Sequence, residues 1–581
     1  MRTLVFAFAL AASPAAAAPA DEFKRIQDDY WAWSLRQSPV QATTLGVPAP
    51  DSLGELSLAA EDRRERERRR FLSRLDAIGE AGLSPADRVN RRILRRQLSE
   101  DIEANSYGQR AMLFTTYAGW HQGFAGLAEG LSFRRGANYR SYLKRLADYP
   151  RLNDEALAVS DVALRGGYVL PCAVLGNTER SITGVIGADP TTTRLYAPFA
   201  RPKPADVSDA DWRAMQSQAR AVIDGPIRAA YAKHATWYRT RYQPKCAQAV
   251  GVSAQPGGDR YYAFRVRQMT TTDMTPDQVH RLGLSEVARI RAEMEGVARQ
   301  AGFASREAMI ADLRTNPKYY AKTPAELMEA VALQVKRIDG MMPTLFGRLP
   351  RLPYGIREIP AETAEGTTTA YYSPGSPESG IAGNYYVNTS KLDQRPLWEV
   401  PALSVHEAVP GHHHQIALQQ ELDLPEWRKN GAFFTAFVEG WGLYSERLGI
   451  EMGLYDTPAK DMGRLSYEMW RACRLVVDTG LHSKGWSKSQ AVQFMTDNSA
   501  LSAANIEAEV NRYISWPGQA LAYKVGELKI RELRARAERE LGTRFDLRRF
   551  HDAVLGQGAV PLDVLGAQIE EWIEGEKGRV G

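Results

Sequence analysis

Cysteine is nearly missing from this chain: there are three in 581 residues, Cys172, Cys246 and Cys473. Three do not make a disulfide framework. One bridge is open to them in an oxidising compartment, and Cys172 with Cys246 is the expected pair. Cys473, in the apolar helical stretch MWRACRLVV, reads as a small buried hydrophobe. Charge of one sign is also lacking. The formal net charge is +5, and the basic-looking run EDRRERERRR at 61–70 alternates in sign. That pattern is a solvated helix face and not a nucleic-acid-binding surface. Beyond the N-terminus no segment is apolar for long enough to cross a bilayer, which excludes membrane insertion. No fixed-period repeat or low-complexity tract occurs.

The first twenty residues, MRTLVFAFALAASPAAAAPA, stand apart from the rest. Arg2, an apolar run from Leu4 to Ala12 and a small-residue tail make a secretory signal, with cleavage expected between about Ala15 and Ala20. No cysteine lies near that point to carry a lipid. The expected product is exported, periplasmic or secreted. About 560 residues remain, with 44% hydrophobic and 25% charged residues, ordinary for a globular protein.

Most of this remainder reads as helix. In TPDQVHRLGLSEVARIRAEMEGVARQ, Thr275, Pro276 and Gln278 form a capping box, and Val279, Leu282, Val287, Ile290, Met294 and Val297 form one apolar stripe. TPAELMEAVALQVKRI at 323–338 repeats the design, with Thr323 and Glu326 as its box. The stretches near 171–206 and 243–260 look like long connections. Strand signals cluster in GTTTAYYS (366–373) and GNYYVNTS (383–390), which predict a hairpin just before a cluster of histidines. The expected fold class is mainly α with a small antiparallel hairpin or sheet beside that cluster.

The cluster is VHEAVPGHHHQ, residues 405–415, with four of the nine histidines. Zinc needs nitrogen, oxygen or sulfur ligands converging at about 2 Å. Helical residues four apart, about 6 Å along the axis, suit two imidazoles on one ion. His406 and His412 are six apart, about 9 Å along an unbroken helix, and His413 lies about 10.5 Å away. Proline breaks helical hydrogen bonding and glycine permits the dihedrals that follow. If Pro410-Gly411 bulges out of the helix, His-Glu-x-x-His is restored on His406 and His412, with His413 the alternative. Glu407 then becomes the general base. A third ligand is expected in FFTAFVEGWGLYSERLGI, where Glu439 sits among aromatic and aliphatic residues that make an unmatched carboxylate costly. Glu446 is the alternative ligand, or a partner to a ligand histidine. An ion pair of Glu439 with Arg471 or Arg474 is the structural reading to be weighed against this.

HEAVPGHHHQ, FVEGWGLYSE, DTGLHSKGWS and RYISWPGQALAYKVGELKI together resemble the bacterial family known as domain of unknown function 885, whose members are generally regarded as zinc metallopeptidases. The likeness extends through GGDRYYAFRVRQMTTTDMTPDQVH and, more weakly, over most of the mature chain. The order of elements is more distantly similar to angiotensin-converting enzyme and the thimet oligopeptidase group. The resemblance implies one helical domain over 21–581, with two lobes flanking a deep cleft. It also implies one zinc ion on His406, His412 and Glu439, with Glu407 as base. Tyr513 best matches the tyrosine that the distant group uses to stabilise the oxyanion, and Tyr523 lies in the same motif. Arg512 would orient the phenol or bind substrate, and His482 would donate to substrate. An edge strand next to a metal helix can pair with an extended peptide, which makes Tyr386 and Asn388 of GNYYVNTS candidate contacts. The expected function is a zinc-dependent metallopeptidase for short peptides. A zinc amidase or esterase on cell-wall fragments or small acyl compounds, and a non-catalytic helical scaffold, are the other readings.

Overall fold

The computed structural model describes residues 18–579 except 117, 360–363, 365–367 and 378–379. The expected signal falls almost wholly outside the described residues; a helix already begins at Pro19. The chain is mainly helical with one three-stranded sheet. Among the described residues no helix is long and apolar enough to cross a membrane.

Elements that matter below are labelled in chain order. Helix α1 (Leu58–Ile78) carries the sign-alternating run, and its charges pair along the helix, as in Arg64–Glu61 at 3.0 Å. Helix α2 (Pro276–Gln300) starts at the complete Thr275–Gln278 capping box, with Val279, Val287, Ile290, Met294 and Val297 buried. Helix α3 (Pro324–Leu345) has half the expected box: Thr323 accepts from the Glu326 N–H, but the Glu326 carboxylate turns to the Lys322 N–H at 2.7 Å. The sheet follows, with β1 (Tyr354–Glu358), β2 (Ala370–Ser373) and β3 (Gly383–Val387) in the order β1-β3-β2. The rest is helical: α4 (Val400–Glu407), α5 (His412–Glu421), α6 (Thr435–Leu448), α7 (Pro458–Ser483), α8 (Ala503–Ser515) and α9 (Ala522–Leu541).

The expected hairpin exists, as the antiparallel pair β2–β3. Sequence reading missed β1, which pairs parallel to β3. This changes the role expected of GNYYVNTS: β3 is the central strand, so both its backbone edges are already paired and it offers none to a peptide. Cys172 and Cys246 form the expected disulfide, closing 74 residues of chain, and Cys473 is buried in α7.

Two helix pairs hold the site, and both depend on glycine at the contact. A Cβ on Gly283 of α2 would stand 2.7 Å from the Leu475 Cβ of α7, and one on Gly526 of α9 would stand 1.9 Å from the Ala436 carbonyl oxygen of α6. Without side chains there, the backbones approach directly. Helices α2, α7 and α9 also share a buried charge cluster. Lys524, fully buried, pairs with Glu468 at 2.7 Å, Glu527 at 2.9 Å and Glu286 at 3.1 Å, and Arg289 pairs with Glu286 at 2.7 Å. Removing one partner from such a cluster typically costs about 3–5 kcal/mol, because the remaining charges stay buried.

Four histidines outside the 405–415 segment are buried and held neutral. Burial lowers His121 and His482 to about 4, and His234 and His551 to about 3. Unfolded, each titrates near the ordinary value of about 6.5. Below that value the unfolded chain binds protons that the folded chain refuses, so stability is complete above about pH 6.5 and falls with acidification toward pH 4. The expected slope is about 1.4 kcal/mol per pH unit for each histidine. Urea unfolding between pH 7 and 4 should show this loss beginning near pH 6.5; a flat profile down to pH 5 would contradict it.

Candidate metal centre

The chain does not bulge between His406 and His412; it breaks. Helix α4 ends at Glu407 and α5 begins at His412, with a cis Val409–Pro410 peptide between them. The chain folds back so tightly that a Cβ on Gly411 would lie 2.0 Å from the His406 carbonyl oxygen and 2.4 Å from that of Val405. Only glycine fits. Trp441 of α6 fastens the turn by donating its indole N–H to the Pro410 carbonyl at 2.8 Å, and the His413 N–H reaches back to the Ala408 carbonyl at 3.0 Å. The outcome that the bulge was expected to produce is reached by this break: the His406 and His412 rings stand edge to face, 4.7 Å apart.

Glu439 meets both rings. Its Oε2 lies 3.6 Å from His406 Nε2 and 3.5 Å from His412 Nε2, and the three donor atoms lie within 4.8 Å of one another. His413 turns the other way, donating from Nε2 to the Leu352 carbonyl at 3.0 Å and accepting from the Tyr372 hydroxyl at 3.0 Å. Glu446 is not part of the group. It accepts from His406 Nδ1 at 2.8 Å and pairs with Arg471 at 3.1 Å, so it fixes the tautomer and tilt of the ring. Arg474 pairs with Glu509 at 3.1 Å. Both arginines that were candidates to neutralise Glu439 are therefore engaged elsewhere.

The field at this point calls for positive charge. Burial alone would lower the His406 pKa, but bonding to Glu439 and Glu446 and the charges of Glu446 and Glu407 reverse this and push it up to about 9. Burial would raise Glu439, yet the two imidazoles hold its carboxyl well below the usual range. Glu407 is the last residue of α4, 9% exposed, and has no side-chain hydrogen-bond partner among the described residues.

The two tyrosines are placed differently. Tyr513 is buried, and its hydroxyl accepts from Trp470 Nε1 at 3.1 Å and Arg474 Nε at 3.0 Å while donating its one proton to Glu509 at 2.6 Å. Nothing is left for an oxyanion. Tyr523, at the start of α9, is only partly buried. Burial and then the charge of Glu439 raise its pKa, and the Arg474 guanidinium covers its ring at 4.2 Å. The close contact of α6 with α9, where a Cβ on Gly440 would lie 2.5 Å from the Gly526 Cα, brings Tyr523 to the Glu439 side.

The other four candidates, His482, Asn388, Tyr386 and Arg512, have partners within the fold. His482 donates from Nε2 to the Tyr513 carbonyl at 2.9 Å and accepts from the Val252 N–H at 3.0 Å, which leaves no ring nitrogen for substrate. Asn388 is fully buried, donating to the Ala364 and Thr368 carbonyls at 2.7 and 3.0 Å. Strand alternation puts Tyr385 on the face of β3 toward Glu407, and Tyr386 on the opposite face, stacked on Tyr371 at 4.9 Å. Arg512 pairs with Glu509 at 3.0 Å and donates to Gln519 at 2.6 Å. Arg512 and Glu509 also line a cavity of about 720 Å³ whose other walls include Asn177, Thr368 and Arg395.

Sequence reading missed Gly442. A Cβ there would stand 2.7 Å from His406 Cε1 and 3.0 Å from Nε2, so the ring rests directly on the backbone of α6. The signal was the repeated glycine in VEGWG, where Gly440 and Gly442 pack against two different partners, Gly526 and His406, within one turn. Gly442→Ala should destabilise the fold by about 1–3 kcal/mol through overpacking and move the His406 ring resonances in NMR spectra. Gly296→Ala in α2, where a Cβ would meet nothing within 4 Å, should instead stabilise by about 0.5–1 kcal/mol. Equal behaviour of the two variants would refute the contact.

The chain is similar to solved proteins over nearly its whole length. A provisionally named lipoprotein from Colwellia psychrerythraea is 25% identical with a TM-score of 0.85, over 95% of this chain and 99% of that one. A provisionally named lipoprotein of unknown function from Shewanella oneidensis is 19% identical with a TM-score of 0.70, over 96% and 100%, and shows the fold alone. No curated protein matches the chain. The family model described as "Bacterial protein of unknown function (DUF885)" matches residues 39–569, and the chain belongs to that family.

Proposed function

We propose that this chain is an exported, zinc-dependent metallopeptidase that hydrolyses short peptides, with the ion held by His406, His412 and Glu439. The observation that carries this reading is the company of Glu439. The neighbouring buried carboxylates Glu446, Glu468 and Glu509 each pair with lysine or arginine, whereas among the described residues Glu439 faces two imidazoles and no lysine or arginine within ion-pair distance. Ligands of an ion bound at about 2 Å are spaced by about 3.3 Å in tetrahedral geometry. The separations of 3.5 and 3.6 Å from Glu439 to the imidazoles fit such an ion with little adjustment.

A divalent ion held there supplies Lewis acidity toward a carbonyl and lowers the pKa of water. The remaining work falls to this chain's own residues. Glu407, adjacent to His406 and without a competing partner, takes the proton of the attacking water and delivers it to the leaving amine. Tyr523 donates its phenolic hydrogen to the oxygen on which negative charge develops. Arg474, stacked on the Tyr523 ring, and Glu446, bonded to His406 Nδ1, hold these groups in place. The carboxylate of Glu407 favours catalysis over a scaffold role, since holding an ion does not require it.

Metal content measured by mass spectrometry tests the ligand set. Wild type and His413→Ala should hold about one zinc per chain, and His412→Ala should hold none. Absence of stoichiometric metal in wild type after incubation with zinc would sink the reading. Glu407→Gln should keep its metal and lose about 10²–10⁴-fold in hydrolysis of a peptide library. Tyr523→Phe should lose about 10²–10³-fold in kcat, with Tyr513→Phe acting mainly on stability.

A further inference from the structure

The cavity of about 720 Å³ has walls that a chamber for apolar side chains would not have. Its lining is almost entirely polar, small or charged, with Val174 the largest apolar residue. Its two acidic residues are already matched: Glu507 by Lys488, and Glu509 by Arg474 and Arg512. Arg395 is not matched in this way. It is partly buried, and its guanidinium donates to the Thr369 hydroxyl at 3.0 Å and the Ser390 carbonyl at 3.4 Å, both neutral oxygens. No ion pair to it exists among the described residues.

Arg395 also stands at a junction. A side arm of about 170 Å³ shares Gln394, Arg395, Ser502 and Asn505 with the main cavity. Farther along the arm Arg314 donates to the Ala500 and Leu501 carbonyls at 3.0 and 2.7 Å, again with no carboxylate partner. The arm's own acids, Asp393 and Glu399, act on Arg395 through their charge but form no ion pair with it among the described residues. Glu399 accepts from the Tyr467 hydroxyl at 3.2 Å. Burial pushes its carboxyl up to about 7 against the pull of Tyr467 and Arg395, which withholds part of its charge near neutrality.

We propose that this cavity is the substrate chamber and that Arg395, at the mouth of its side arm, binds a carboxylate group of the substrate. The inference rests on the peptidase reading for the identity of the substrate. The wall formed by Glu509 and Arg512 links the chamber to the candidate centre, since Glu509 and Tyr513 hold Arg474, which covers Tyr523 beside Glu439. A guanidinium partly withdrawn from water and hydrogen-bonded only to neutral oxygens gains charge-assisted hydrogen bonds when a carboxylate arrives. That carboxylate is either a peptide C-terminus or an Asp or Glu side chain.

The test is calorimetric binding of three N-acetyl tripeptide pools to the zinc-incubated Glu407→Gln chain, with and without Arg395→Gln or Arg395→Lys. One pool has free C-termini and no acidic residues, the second is its C-terminal amide, and the third is an amide pool containing Asp and Glu. The first or the third pool should bind about tenfold or more tightly than the second, and which of them does so identifies the source of the carboxylate. Arg395→Gln should erase the difference with an unchanged melting temperature, and Arg395→Lys should restore part of it. Equal binding of the pools, binding of none, or a preference that survives Arg395→Gln would overturn the proposal. Hydrolysis of the same pools by the unsubstituted chain reports separately on the peptidase reading. Cleavage without carboxylate preference leaves that reading standing and removes this one, and the reverse result separates them the other way.

Discussion

A carboxylate taken out of water must be met by a cation, and much of the interior of this protein is arranged around that constraint. Helices α2, α7 and α9 meet on Lys524 and its three glutamates; Arg471 answers Glu446, and Arg474 with Arg512 answers Glu509. These pairs are fixed and self-sufficient. Glu439 departs from this pattern, because the groups facing it among the described residues are two imidazoles whose charge is conditional; Asp478 departs from it differently, meeting the Tyr262 hydroxyl and the Gly518 N–H. The raised pKa of His406 and the depressed one of Glu439 both express a local field that favours a cation among these three residues.

Close backbone contact converts that electrostatic requirement into geometry. Gly442 lets the His406 ring lie on α6, Gly411 lets the chain fold back on the end of α4, and Gly440 with Gly526 lets α6 meet α9 without intervening side chains. Glu439 immediately precedes Gly440 and lies three residues before Gly442, so its carboxylate is aimed by backbone packing and not by its own rotamer alone. Preorganisation of this kind keeps a charged constellation from relaxing into ion pairs of its own.

The second ring of residues ties the centre to the chamber. Tyr513, anchored through its carbonyl by His482 and through its hydroxyl by Trp470, Arg474 and Glu509, acts as a strut between α7 and α8. Glu509 belongs to that strut and to the cavity wall at once. Arg474 in turn covers the Tyr523 ring, so the cavity wall and the Glu439 side share one chain of contacts that does not pass through the histidines.

Much of this was legible in the residues alone. The helical class, the capping at Thr275 and the hairpin follow from local rules: periodicity, cap chemistry and turn composition. The cost of a carboxylate among aromatics singled out Glu439, while the grouping of His406, His412 and Glu439, with His413 and Glu446 as alternatives, came with the family resemblance. Those rules operate within a few residues of chain or on a single side chain's solvation. What they could not decide depends on partners distant in sequence. Strand β1 reads weakly by itself and exists because β3 pairs with it, and that pairing removes the free edge that GNYYVNTS would have offered. Tyr513 and Tyr523 sit ten residues apart in one motif, and only the packing of α7 against α8 and of α6 against α9 decides which hydroxyl is consumed and which faces Glu439. The same holds for His482, whose two nitrogens are claimed by backbone groups at positions 252 and 513. The sequence by itself determined which chemical groups are present and which of them are costly to bury. Tertiary structure decided which are already satisfied, because satisfaction of a hydrogen bond or a charge belongs to a pair of groups and not to either one.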